Sequence, residues 1–166
     1  MASKQPKTRN IIAYEEFSKI LEDILLGLSC TGIKSLTRYK QEAVYDFICG
    51  RDTFLVLPTG HGKSFVYQMA LMIAKQIKLN NDPIIVIVSP LNALIADQIK
   101  GCKRFGIQGY KLESSNIETL QSRCKYDVLF SSPEILESFP AKILLQKLDS
   151  RIIGLVVDES HCVEKW

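Results

Sequence analysis

Two hydrophobic rhythms alternate along this chain. Between residues 14 and 28, Phe17, Ile20, Leu21, Ile24, Leu25 and Leu28 recur every three or four positions with acids between them. That spacing predicts an amphipathic helix, and Gly27 near its end fits a stop. A second helix is expected from about residue 39 to residue 48, with Val44, Phe47 and Ile48 facing a core. Gly50-Arg51-Asp52 reads as a turn, after which the apolar run Thr53-Phe54-Leu55-Val56 predicts a buried strand. A helix is expected over residues 65–74. Asn80-Asn81-Asp82-Pro83 then breaks the chain, and Ile84-Ile85-Val86-Ile87-Val88 follows. This β-branched run has no alternation, as a central parallel strand buried on both faces should have none.

The second half repeats the scheme. A helix is expected over residues 91–99, a short strand at residues 109–112, and a short helix from Asn116, as its cap, to about residue 123. Residues 126–130 predict a strand, residues 140–148 a helix with Pro140 in its first turn, and residues 151–157 a last strand. Strands alternating with helices predict an α/β fold, a mostly parallel sheet with helices on both faces. Ligands of such sheets sit beyond the carboxyl ends of the strands. The polar clusters of this chain fall at those places: the loop after residue 56, Ser89-Pro90, Ser131-Ser132-Pro133-Glu134 and Asp158-Glu159.

The first of these clusters, Leu57-Pro58-Thr59-Gly60-His61-Gly62-Lys63-Ser64, has the layout of a phosphate-binding loop between strand and helix. Gly60 and Gly62 let the backbone curl so that N–H groups and the helix dipole converge on one point. Lys63 is expected to reach the β- and γ-phosphates of ATP and the Ser64 hydroxyl to hold Mg²⁺. Leu57 stands where the general pattern has glycine. Asp158 and Glu159, adjacent at the end of an apolar strand, supply the expected partner: Asp158 for Mg²⁺, Glu159 to orient and deprotonate the attacking water. His161 is placed to link the nucleotide site to whatever the protein moves.

Composition narrows this picture a little. The 166 residues suit about one domain, and 21 Lys+Arg against 18 Asp+Glu give a net charge of +3, compatible with nucleic acid. No run suits a membrane crossing, and the basic start lacks the apolar core of a secretory signal. Cys30, Cys49, Cys102, Cys124 and Cys162 include no C-x-x-C pair and are not spaced with the two histidines as zinc ligands, so reduced thiols and no structural zinc are expected.

The order Pro58-Thr59-Gly60-His61-Gly62-Lys63-Ser64, Tyr67-Gln68, Ser89-Pro90-Leu91, Asp97-Gln98, Ser132-Pro133-Glu134 and Asp158-Glu159-Ser160-His161-Cys162 through Trp166 resembles the first motor domain of RecQ-type superfamily 2 DNA helicases. The resemblance covers nearly all the chain from about Gly32. It implies a RecA-like P-loop NTPase domain over residues 32–166, incomplete at its C-terminus, preceded by a tail and amphipathic helix over residues 1–31. It implies that residues 58–64 bind ATP, with Lys63, Asp158, Glu159 and His161 catalytic. Gln41 then corresponds to an adenine-reading glutamine, although the interval to Gly50 is one residue short and Lys40 aligns without a gap. Ser89, Pro90, Leu91, Gln98, Ser132, Pro133, Glu134 and Trp166 correspond to contacts with single-stranded DNA, where Trp166 suits stacking on a base.

The resemblance further implies 3′-to-5′ unwinding of DNA, a nuclear location, and dependence on a second motor domain whose arginine finger is worth about 10³–10⁵ in rate. A chain ending at Trp166 is therefore expected to bind ATP better than it hydrolyses it. The competing readings are a truncated, non-catalytic nucleotide- or DNA-binding module and an unrelated P-loop kinase or GTPase. The Asp158-Glu159-Ser160-His161 box disfavours the latter.

Overall fold

A computed structural model describes residues 11–29, 32–33, 35–58, 60–122 and 124–159. The chain divides into two compact units, Met1–Leu79 and Asn80–Trp166.

The first unit is helical in its described residues. Helix α1 (Tyr14–Gly27) buries Phe17, Leu21 and Leu25, and α2 (Arg38–Ile48) buries Ala43, Val44 and Ile48. Both pack against α3 (Lys63–Gln76). A helix covered from two sides must be apolar over most of its girth, and α3 buries Tyr67, Gln68, Met69, Ala70, Leu71, Ile73 and Ala74. Tyr14, Phe17 and Tyr45 gather with ring centroids 5.0–5.7 Å apart, and the Tyr45 hydroxyl donates to Ile12 O at 3.0 Å. Arg51 lies 5.0 Å over the Tyr45 ring and pairs with Asp46 at 2.6 Å, which fastens the chain where it leaves α2.

One expectation fails here. Residues 53–56 form no strand, and Phe54 and Val56 are 81% and 75% exposed. A strand needs a neighbour for its N–H and C=O groups. The described elements of this unit are all helices, and residues 53–56 belong to no ladder of the described sheet.

The second unit is the α/β part. It runs β1 (Ile84–Val88), α4 (Asn92–Lys103), β2 (Gly109–Lys111), α5 (Ile117–Ser122), β3 (Val128–Ser131), α6 (Pro133–Glu137), α7 (Phe139–Leu148) and β4 (Ile152–Val157). The strands form one all-parallel sheet in the order β2-β3-β1-β4. Val88 stands opposite Ser131 on one side and Val157 on the other, so the carboxyl ends of β1, β3 and β4 finish level. Every residue of β1 is buried, as its unalternating pattern requires.

Helices cover both faces. Ile84 and Leu129 pack with Ile117 and Leu120 of α5 and with Ala141, Leu144 and Leu148 of α7. Phe130, pointing the other way by strand alternation, meets α4 over Gly109. A Cβ at Gly109 would stand 3.0 Å from the Phe130 ring and 3.4 Å from Ile99, so glycine here allows an approach that a larger residue would have to push back by a few tenths of an ångström. Strand β4 is an edge of this sheet, and Leu155 and Val157 remain exposed. At the other end of the strands, Arg151 donates to Asp82 O at 2.9 Å and to Cys124 O at 2.7 Å, which ties together the chain entering β1, β3 and β4. Asn116 caps differently from expectation: its amide closes the preceding turn, accepting from Glu113 N–H and donating to Lys111 O, each at 3.0 Å.

Phe130 is fully buried between sheet and α4, so Phe130→Ala is expected to lower the unfolding free energy by about 3–5 kcal/mol. Urea titration followed by circular dichroism measures it; a loss below about 1 kcal/mol would mean that this face is not close-packed.

Candidate functional site

The glycine loop lies in the first unit. Pro58 O accepts from His61 N–H at 3.2 Å, closing a turn that Gly60 enters with φ +82°. Gly62, at φ +73°, is the residue from which α3 starts. Its left-handed conformation suits glycine, and it brings no side chain to the helix N-terminus. Consequently Gly62 gives α3 no side-chain cap, and the first turn, opened by Lys63-Ser64-Phe65, holds no acid. Those N–H groups and the positive end of the helix dipole suit an anion. Lys63 and Ser64 open the helix and are half-buried; His61 and Pro58 are exposed. Thr59 falls outside the described residues.

Helix α2 adds a group that the sequence reading touched only as an alignment alternative. Lys40 Nζ lies 3.5 Å from where a Cβ at Gly62 would be, which brings an ammonium beside the loop. Gln41, by contrast, donates its amide to Leu36 O at 2.9 Å, and so secures the entry to α2 with one of its two amide hydrogens.

The acidic pair lies at the end of β4 in the second unit. Asp158 N–H donates to Val88 O at 2.9 Å, extending the β1–β4 ladder by one residue. The Asp158 carboxylate accepts from Glu159 N–H on Oδ1 at 3.0 Å and from Gln98 Nε2 on Oδ2 at 2.5 Å. Glu159 has φ +53°, a left-handed conformation that is uncommon outside glycine and marks the place where the chain leaves the strand path. Gln98, expected on DNA, thus donates to Asp158. No sequence signal announces that partner, because the two residues are sixty positions apart.

The remaining segments separate into exposed and buried members. Ser89 is wholly buried, its N–H donates to Ser131 O at 2.9 Å, and its Oγ has no hydrogen-bond partner among the described residues. A buried hydroxyl is not presented to a DNA phosphate. Pro90 is half-buried, Leu91 is 51% exposed, and α4 begins without a side-chain cap. Ser132 caps α6, its hydroxyl accepting from Ile135 N–H at 3.5 Å, while Pro133 is buried and Glu134 exposed. The Ser132 hydroxyl, with the Glu134 backbone N–H, holds the Glu134 carboxyl below the usual carboxylate range. His161 and Trp166 fall outside the described residues. No cluster of three or more metal-ligating His, Cys, Asp or Glu side chains occurs among the described residues. Magnesium sites commonly use only one or two carboxylates together with substrate phosphates.

Comparison with known proteins gives the family. The sequence pattern described as DEAD/DEAH box helicase matches residues 37–166. The probable ATP-dependent DNA helicase RecS of Bacillus subtilis (strain 168) is 33% identical over 142 residues, covering 81% of this chain and 27% of its own length. The ATP-dependent DNA helicase RecQ of Synechocystis sp. is 32% identical over 137 residues, covering 78% and 27%. The ATP-dependent DNA helicase Q5 of Rattus norvegicus is 34% identical over 144 residues, covering 78% and 14%. The chain thus spans 27% or less of the length of these relatives.

Ser132→Ala removes the hydrogen bond that lowers the Glu134 pKa, so that pKa is expected to rise toward the ordinary value. Carboxyl-carbon NMR titration reads the shift; an unmoved or lower midpoint would show that Ser132 does not hold this carboxylate.

Proposed function

The chain belongs to the DEAD/DEAH box helicase family, with RecQ-type DNA helicases among its relatives, and on that premise we propose that it is the first motor domain of an ATP-dependent DNA helicase. The observation that carries this reading is the start of α3, where a left-handed Gly62 stands at the N-cap without a side chain and Lys63 and Ser64 open the first turn. In this reading the motor domain spans residues 32–166.

Each group has a task set by its chemistry. The first-turn N–H groups of α3 and its dipole receive the phosphates of ATP. Lys63 adds a point charge for the β- and γ-phosphates, and Lys40 a second one beside Gly62. The Ser64 hydroxyl supplies a neutral oxygen ligand for Mg²⁺. The Asp158 carboxylate has about four lone-pair positions, of which the described hydrogen bonds use two, and a hard cation prefers such oxygens. When bound, Mg²⁺ would draw charge from the transferring phosphate. Glu159 orients water and accepts its proton. Gln41 retains one amide hydrogen and its carbonyl oxygen for adenine. His161 links hydrolysis to DNA.

For DNA, the exposed members of the two strand-end segments carry the proposal. Leu91 and the uncapped first turn of α4 offer surface and N–H groups to a phosphate, as do Ser132 and Glu134 beside α6. Trp166 stacks on a base. Translocation with 3′-to-5′ polarity and unwinding belong, in this proposal, to a longer protein with a second motor domain. Relatives occur in bacteria and in a rat, so action on DNA inside cells follows from the family, while a nucleus is proposed only from the resemblance.

Lys63→Ala is expected to weaken ATP binding by roughly 10- to 100-fold, the equivalent of one charge-assisted hydrogen bond, in calorimetry at constant Mg²⁺. Single-stranded DNA is expected to stimulate ATP hydrolysis by the unaltered chain and not by this variant. Unchanged ATP affinity in Lys63→Ala would rule out the phosphate cradle, and ATP binding without any DNA stimulation would leave a binding module in place of a motor.

A further inference from the structure

The amide of Gln98 supports a role that neither the motif reading nor the family match assigns. Gln98 lies on α4 with its side chain half-buried, and its N–H donates to Asp158 Oδ2. A carboxylate has no hydrogen to offer, so the amide must present nitrogen to Asp158 and turn its oxygen elsewhere. That Oε1 is buried and has no hydrogen-bond partner among the described residues. Buried acceptors in native proteins nearly always have a donor, so an orphan one beside an acidic site calls for an occupant that brings hydrogens.

Asp158 is held at three points. Its N–H is fixed on Val88 O of β1, its Oδ1 by the N–H of Glu159, and its Oδ2 by Gln98 of α4. The first two bonds use the backbone C=O of position 88 and the backbone N–H of position 159, which any residue but proline at 159 would supply. Gln98 makes the remaining one, and it alone of these three bonds depends on a side chain other than that of Asp158 itself.

We propose that Gln98 is a positioning residue for Asp158: it fixes the rotation of the carboxylate and offers Oε1 to a hydrogen of the water shell around a divalent cation. This rests on the reading of Asp158 as the carboxylate that holds Mg²⁺. A carboxylate free to turn must be ordered when the cation binds, whereas one locked in advance need not be. Outer residues that orient a metal ligand typically contribute 10–100-fold in metal affinity. The same commitment removes Gln98 from the set of DNA contacts.

The test uses the 166-residue chain with Mn²⁺ as the probe, counted by electron paramagnetic resonance in the presence of a non-hydrolysable ATP analogue. Gln98→Met keeps the bulk and loses the amide. It is expected to weaken Mn²⁺ binding by roughly 10–100-fold, with unchanged affinity for the analogue in EDTA, unchanged affinity for single-stranded DNA and an unchanged circular dichroism spectrum. Gln98→Asn, which keeps an amide one methylene short of Asp158, is expected to show the same loss and serves if the methionine variant does not fold. Wild-type Mn²⁺ affinity in a folded variant overturns the proposal, as does a fall in DNA affinity with Mn²⁺ binding intact. Asp158→Asn in the same assay separates the two levels. If it weakens Mn²⁺ binding and Gln98→Met does not, only the positioning role fails. If neither weakens it, the cation assignment of Asp158 fails as well.

Discussion

The acidic pair owes its position to one constraint: β1 must be hydrogen-bonded along both edges. A strand covered by helices on each face and flanked by parallel strands has no access to water, so its polar groups must be satisfied within the sheet. β3 and β4 do this, and the requirement runs past the strand ends. Val88 O takes the N–H of Asp158, and Ser89 N–H goes to Ser131 O. The ends of β1, β3 and β4 are thereby locked level, with Ser89, Ser132 and Asp158 at one margin of the sheet. The chain leaves β1 toward β3 and β2 and returns to β4 on the opposite side, which makes β1 the point where strand order reverses. Open α/β sheets place ligands at that point.

Much of this was legible because it depends on local pattern. Ile84–Val88 is β1 to the residue, since a β-branched run without alternation has few other uses. The helix after the glycine loop and the acidic pair at a strand end followed in the same way. Residues 53–56 show the limit. Their apolar character is as clear as that of β1, but hydrophobicity does not name a partner, and Phe54 and Val56 stay exposed. One short element was missed with its signal present: α6, where Ser132 is a capping serine followed by Pro133 in the first turn, the same pattern that Ser138 and Pro140 make at the expected helix α7.

Side-chain partners were the least legible. Gln98 on Asp158, Asn116 on its own turn, and Lys40 beside Gly62 are products of where elements pack. The resemblance put Gln98 among DNA contacts, and a motif carries no information on which neighbour a side chain meets in the fold. Ser89 teaches the same caution. Its hydroxyl looked suited to phosphate, yet the strand geometry that defines the segment also buries it.

In the proposed function, the phosphate-binding half of the chemistry rests on the helix start at Gly62, and the cation-binding half on the sheet margin at Asp158. The most direct test is an amide NMR titration of the chain with ATP, first in EDTA and then with Mg²⁺. The account predicts that Gly60, Gly62, Lys63 and Ser64 respond to ATP in both conditions, and that Asp158, Glu159 and the side-chain amide of Gln98 respond only when Mg²⁺ is present. Shifts confined to other parts of the chain, or the same response at Asp158 with and without Mg²⁺, would contradict it.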